Sequence, residues 1–92
     1  MFDKLANRIA GVSTHDRYTY YKSPAQFLQR LSDVLREFGY VTPQFALYLY
    51  NMEGCGYIDV TRANKDKTEF RIYYTYYRMP SYNWEFVCYV TN

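Results

Sequence analysis

Between Ser23 and Gly39 the apolar residues Phe27, Leu28, Leu31, Val34, Leu35 and Phe38 recur every three or four positions, with Gln29, Arg30, Asp33, Arg36 and Glu37 between them. At 3.6 residues per turn this spacing gives one apolar stripe and leaves a charged face for water. The flanks agree with the stripe. Ser23 is a good N-cap, Pro24 suits the first helical position, and Gln26 completes a Ser-x-x-Gln capping box. Gly39 suits the left-handed position after the last turn, and Pro43 prevents the helix from resuming. The pattern predicts a helix over 24–38. A shorter one is predicted over 2–11, where Phe2, Leu5, Ile9 and Val12 share a spacing near the helical one and Gly11 is the stop. Residues 12–22 are polar and tyrosine-bearing, and they are expected to form a linking loop.

From residue 44 the period falls to two. Four strands are predicted, over 44–51, 56–62, 68–78 and 82–91, with turn-like segments at 51–54, 64–67 and 79–81. Links this short favour an antiparallel meander in sequence order. The expected fold class is α+β: a short N-terminal helix, then a capped amphipathic helix packed on a four-stranded antiparallel meander, all in one domain over 1–92.

Alternation sorts the strand residues into two faces. One holds Phe45, Leu47, Leu49, Ile58, Val60, Phe70, Ile72, Tyr74, Tyr76, Trp84, Phe86, Cys88 and Val90, and the helix stripe is its natural cover. The other holds Tyr48, Tyr50, Tyr57, Asp59, Thr61, Glu69, Arg71, Tyr73, Thr75, Tyr77, Glu85, Val87 and Tyr89. A solvated face normally carries Lys, Glu, Thr and Ser. This one carries tyrosines, and composition sharpens the contrast: 13 of the 92 residues are tyrosine. Three explanations compete. Cross-strand tyrosine pairs reinforce a sheet on their own account. Residues 1–22 folded across the face would bury it. An exposed tyrosine face would serve recognition, since tyrosine offers rigid contact area with a polar tip.

Charge and candidate chemistry narrow the choice. A net charge of +2 is too small to point to a polyanion. The basic residues Arg17, Lys22, Arg30 and Arg36 lie on the loop and helix, away from the tyrosines. Cys55 and Cys88, without a secretory leader, suggest free thiols in a reducing, cytoplasmic setting. Cys88 has the parity of a buried thiol, and Gly54-Cys55-Gly56 places Cys55 at a hairpin end. His15, the single histidine, and two distant cysteines form no metal-ligand spacing, and no phosphate loop, dinucleotide turn or zincin motif occurs. No catalytic residue, metal or cofactor is expected, nor any membrane span.

The expected function is non-catalytic binding of another protein or protein complex. The interaction surface is Tyr48, Tyr50, Tyr57, Arg71, Tyr73, Tyr77 and Tyr89, with Arg71 able to pair with a neighbouring acid. A small intracellular inhibitor or adaptor fits this description. Phages encode such proteins against host defence complexes, anti-CRISPR proteins among them, an analogy of type resting on no motif. Single-stranded nucleic acid stacked on the aromatics is the first alternative, although the RNP-type motif is missing. A small nucleotide ligand is the second, and a homodimer through the same face would have the same sequence signature.

Overall fold

The computed structural model describes residues 2–12, 20–41, 52–62 and 67–91. They form α1 (Phe2–Ala10), α2 (Pro24–Glu37), β1 (Glu53–Val60), β2 (Phe70–Arg78) and β3 (Trp84–Thr91). The sheet is antiparallel, ordered β1-β2-β3, so the class is α+β. The strand expected over 44–51 lies outside the described residues, as do Tyr48, Tyr50 and His15.

Both ends of α2 follow from its sequence. The Ser23 hydroxyl accepts from the Gln26 backbone N–H at 3.4 Å, while the Gln26 carboxamide oxygen accepts from the Lys22 N–H at 2.9 Å. The capping box therefore reaches back one residue further than its usual form. At the other end Gly39 takes φ 82, and the Gly39 and Tyr40 N–H groups donate to the carbonyls of Arg36 and Leu35. This is a Schellman closure, and it needs the left-handed backbone that glycine adopts at little cost.

One apolar cluster joins the helices to a single face of the sheet. Leu5, Ile9 and Val12 come from α1 and its end; Phe27, Leu31, Val34 and Leu35 from α2; Ile58, Val60, Phe70, Ile72, Phe86 and Cys88 from the strands. Phe27 stacks on Phe86 with centroids 4.2 Å apart and planes 5° apart. The Cys88 thiol donates to the Ile9 carbonyl at 3.2 Å, which sets α1 over β3. Arg8 and Glu37 tie the two helices at 2.9 Å, an exposed pair that contributes little to stability. The side chain of Phe2, assigned to the same stripe, lies outside the description.

Several boundaries move. Glu53 and Gly54, expected in a turn, belong to β1 and pair with Tyr77 and Tyr76. The glycines open space here instead of turning the chain: a methyl group on Gly54 would lie 2.8 Å from Cζ of Tyr76, and one on Gly56 2.7 Å from Cζ of Tyr74. β1 ends at Val60, before the expected 62, and β2 starts at Phe70 instead of 68. The β2–β3 connection is longer than 79–81, because Met79 and Asn83 close it and Tyr82 occupies φ 66. β3 therefore begins at Trp84 and not at 82. Helix α1 stops at Ala10 and α2 at Glu37, each one residue early.

Two tyrosines outside the strands enter the core. Tyr21, expected in a loop, exchanges two backbone hydrogen bonds with Trp84 and packs edge-on against Phe27 and Phe86. Its hydroxyl donates to the Val12 carbonyl at 2.6 Å, and burial pushes its pKa up. Tyr40 packs edge-on against Phe70, with the Arg62 guanidinium 4.5 Å from its ring centre. Arg62 in turn pairs with Glu69 at 3.1 Å, so Glu69 is engaged there and is not free on the tyrosine face.

Candidate functional site

Cross-strand register builds the outer sheet face in four rows. Asp59, Arg71 and Thr91 align across the three strands, then Tyr57, Tyr73 and Tyr89. The third row is Cys55, Thr75 and Val87, and the fourth Glu53, Tyr77 and Glu85. Five predicted surface residues, Tyr57, Arg71, Tyr73, Tyr77 and Tyr89, thus share this face. The helices pack on the opposite face, so α1 does not cover the tyrosines.

The second row is an aromatic ladder. Tyr73 stacks on Tyr89 with centroids 5.3 Å apart and planes 12° apart, and meets Tyr57 at 6.0 Å with a 53° tilt. Tyr57 and Tyr89 remain 55% and 53% exposed, and Tyr73 is half-buried between them. Arg71 fixes one end of the ladder. Its guanidinium lies 3.9 Å from the centre of the Tyr57 ring and donates to Asp59 at 2.8 Å. Hydrogen bonds to Asp59 and then Tyr73 push the Arg71 pKa still higher than its ordinary value, so its charge is fixed. Parked over an aromatic face and paired with a carboxylate, Arg71 holds Tyr57 in one orientation.

Tyr77 stands apart, 41% exposed, with Glu53 and Glu85 directly opposite on its two neighbours. Glu53 escaped the sequence analysis because its segment resembles a turn. Counting back by twos from Tyr57 through Cys55 would have found it. Cys55 likewise sits within β1 and is exposed, not at a hairpin end.

The inner face of the same strands is filled differently. Tyr74 and Tyr76 lie over Gly56 and Gly54 and pack against the core, and burial raises the pKa of Tyr74. Cys88 is buried. A thiol reagent under native conditions is therefore expected to label Cys55 and to reach Cys88 only in denaturant. Equal labelling of both in the folded protein would take Cys88 out of the core.

Among the described residues no three His, Cys, Asp or Glu side chains converge as a metal site. Among the same residues no helix is long and apolar enough to cross a membrane. A pocket of about 280 Å³ between α1 and α2 is lined by Arg8, Arg30, Asp33 and Glu37 with Gly11, Val12 and Val34. Its charged groups are two acids and two bases, and Arg8 and Glu37 already satisfy one another. No protein-family model matches the chain, and no curated protein or solved structure matches it either.

Proposed function

We propose that this chain is a non-catalytic protein-binding module whose contact surface is the outer sheet face. Tyr57, Arg71, Tyr73, Tyr77 and Tyr89 are its contact residues; Tyr48 and Tyr50, also expected to take part, lie outside the described residues. The observation that carries the reading is the ladder Tyr57–Tyr73–Tyr89, which leaves two large aromatic side chains more than half exposed on a rigid sheet. Ordered rings lose little conformational freedom on binding, and a residue such as tyrosine is a common interface anchor. The role is that of a small inhibitor or adaptor, and the phage-encoded inhibitors of host defence complexes are its type by analogy alone. Cys55 and Cys88, which are not joined in a disulfide, support a reducing, cytoplasmic setting.

Stacked nucleic acid is the second reading, favoured by the same ladder. Charge weighs against it. The described face carries the acids Glu53, Asp59 and Glu85 against the single base Arg71, which is already paired. Such a surface repels phosphate. A flat sheet face is also a poor fit for a small nucleotide, which binds in a concave pocket.

The test is affinity capture with a nuclease-treated control, followed by titration of the partner. The double variant Tyr57→Ala, Tyr89→Ala should stay folded by circular dichroism and lose about 2 kcal/mol or more of binding, roughly 30-fold. Binding should change little with moderate salt, whereas a nucleic-acid partner would be lost steeply. A folded double variant with undiminished affinity overturns the proposal. Tyr73→Ala answers a different question, because a half-buried ring between two others supports the sheet as well as the surface.

A further inference from the structure

We infer that the partner meets this face with an extended, lysine- or arginine-bearing segment, one cationic side chain seated over Tyr77 between Glu53 and Glu85. This rests on the protein-binding reading and names the chemistry of the partner. Directly opposite side chains on adjacent strands have Cβ atoms ~5 Å apart, so a carboxylate stands on either side of the exposed Tyr77 ring. A cation above that ring would meet the negative face of the aromatic and two acceptors at once.

Charge on the rest of the face leaves this position open. Asp59 is neutralised by Arg71 at the opposite end of the strands. Neither Glu53 nor Glu85 pairs with a cation among the described residues. Arg78, next along the chain, alternates to the inner face, where its guanidinium lies 5.3 Å from the Tyr82 ring centre and 5.6 Å from that of Trp84. An apolar partner would strip water from two unpaired carboxylates, which is costly.

Charge also selects against a second copy meeting this one with the same face. Strands ~4.8 Å apart with a rise of ~3.3 Å per residue give the described face roughly 400 Å², room for a short extended segment. A second copy would have to offer Arg71, which is already bound to Asp59 and parked over Tyr57. A short extended segment matches both the area and the bare carboxylates.

The probe is a fluorescent peptide alternating arginine with threonine, compared with a twin in which glutamate replaces arginine. The arginine peptide should bind and the glutamate twin should not. Glu53→Gln with Glu85→Gln should weaken binding by about tenfold, and Asp3→Asn, off the face, should leave it unchanged. Should the double variant unfold, the exposed Glu53→Gln alone supplies the same comparison. Equal binding of the two peptides overturns the inference, as does a preference for oligothymidylate. So does a dimer in sedimentation that Tyr57→Ala with Tyr89→Ala dissolves. If the tyrosine variant loses the captured protein partner and the glutamine variant keeps it, the inference fails and the module reading stands. If both keep it, both fail.

Discussion

Phe27→Ala is expected to lower the unfolding free energy by about 3–5 kcal/mol. The ring is fully buried, lies flat on Phe86 at 4.2 Å and receives the edge of Tyr21 at 5.7 Å. Truncation removes the main aromatic link between α2 and β3 and opens a cavity that rigid neighbours cannot fill. A domain of this length has a total stability of about 5–14 kcal/mol, so the loss is a large share of it. With ~4–8 °C per kcal/mol for a domain this size, the melting point should fall by more than about 10 °C. Leu28, next in sequence but only partly buried, gives a useful comparison, since its truncation should cost less. Denaturant titration decides the matter. A shift of less than about 1 kcal/mol for Phe27→Ala, with the slope unchanged, would show that the stack does not hold α2 to the sheet.

That stack is also where sequence and structure agree best. The stripe on α2, its serine cap and the left-handed Gly39 all point to one helix, and each signal is local. The alternation over 70–78 and 84–91 is equally local, and it placed Tyr73, Tyr77, Tyr89 and Arg71 on one face and Ile72, Phe86 and Cys88 on the other. What local signals could not supply was the reason for a glycine. Gly54 and Gly56 look like turn residues, because a turn and a close approach both call for a missing Cβ. Read as a turn, they hide Glu53 and the strand position of Cys55, and so the carboxylate on one side of Tyr77. Tyr21 and Tyr40 were missed for another reason. Tyr21 follows Tyr20 and Tyr40 follows the helix-ending Gly39, and each is brought into the core by a single backbone bridge, to Trp84 and Arg62 respectively. Neither bridge has a periodic signature. That α1 leaves the tyrosines uncovered is likewise a tertiary fact, fixed by its packing over β3 on the far side.

The two strand glycines carry the other large effect. Gly54→Ala together with Gly56→Ala is expected to cost about 2–5 kcal/mol, because each methyl group forces a tyrosine ring out of place. The ring atoms nearest a new Cβ would be 2.8 Å away for Tyr76 and 2.7 Å away for Tyr74, with the Tyr74 hydroxyl closer still. Both rings pack against the core cluster, Tyr76 beside Trp84 and Phe86, so swinging them aside exposes apolar area. Glycine inside a strand is otherwise unfavourable by roughly 0.5–1 kcal/mol relative to alanine, which gives the test its sign. In a Tyr74→Ala background the obstruction at Gly56 is gone. Gly56→Ala should then be neutral or stabilising there, although it destabilises the parent chain. Four denaturation curves complete this cycle, and the coupling between positions 56 and 74 should exceed about 1 kcal/mol. Were Gly56→Ala equally costly in both backgrounds, the tyrosine ring would not be what requires a glycine at that position.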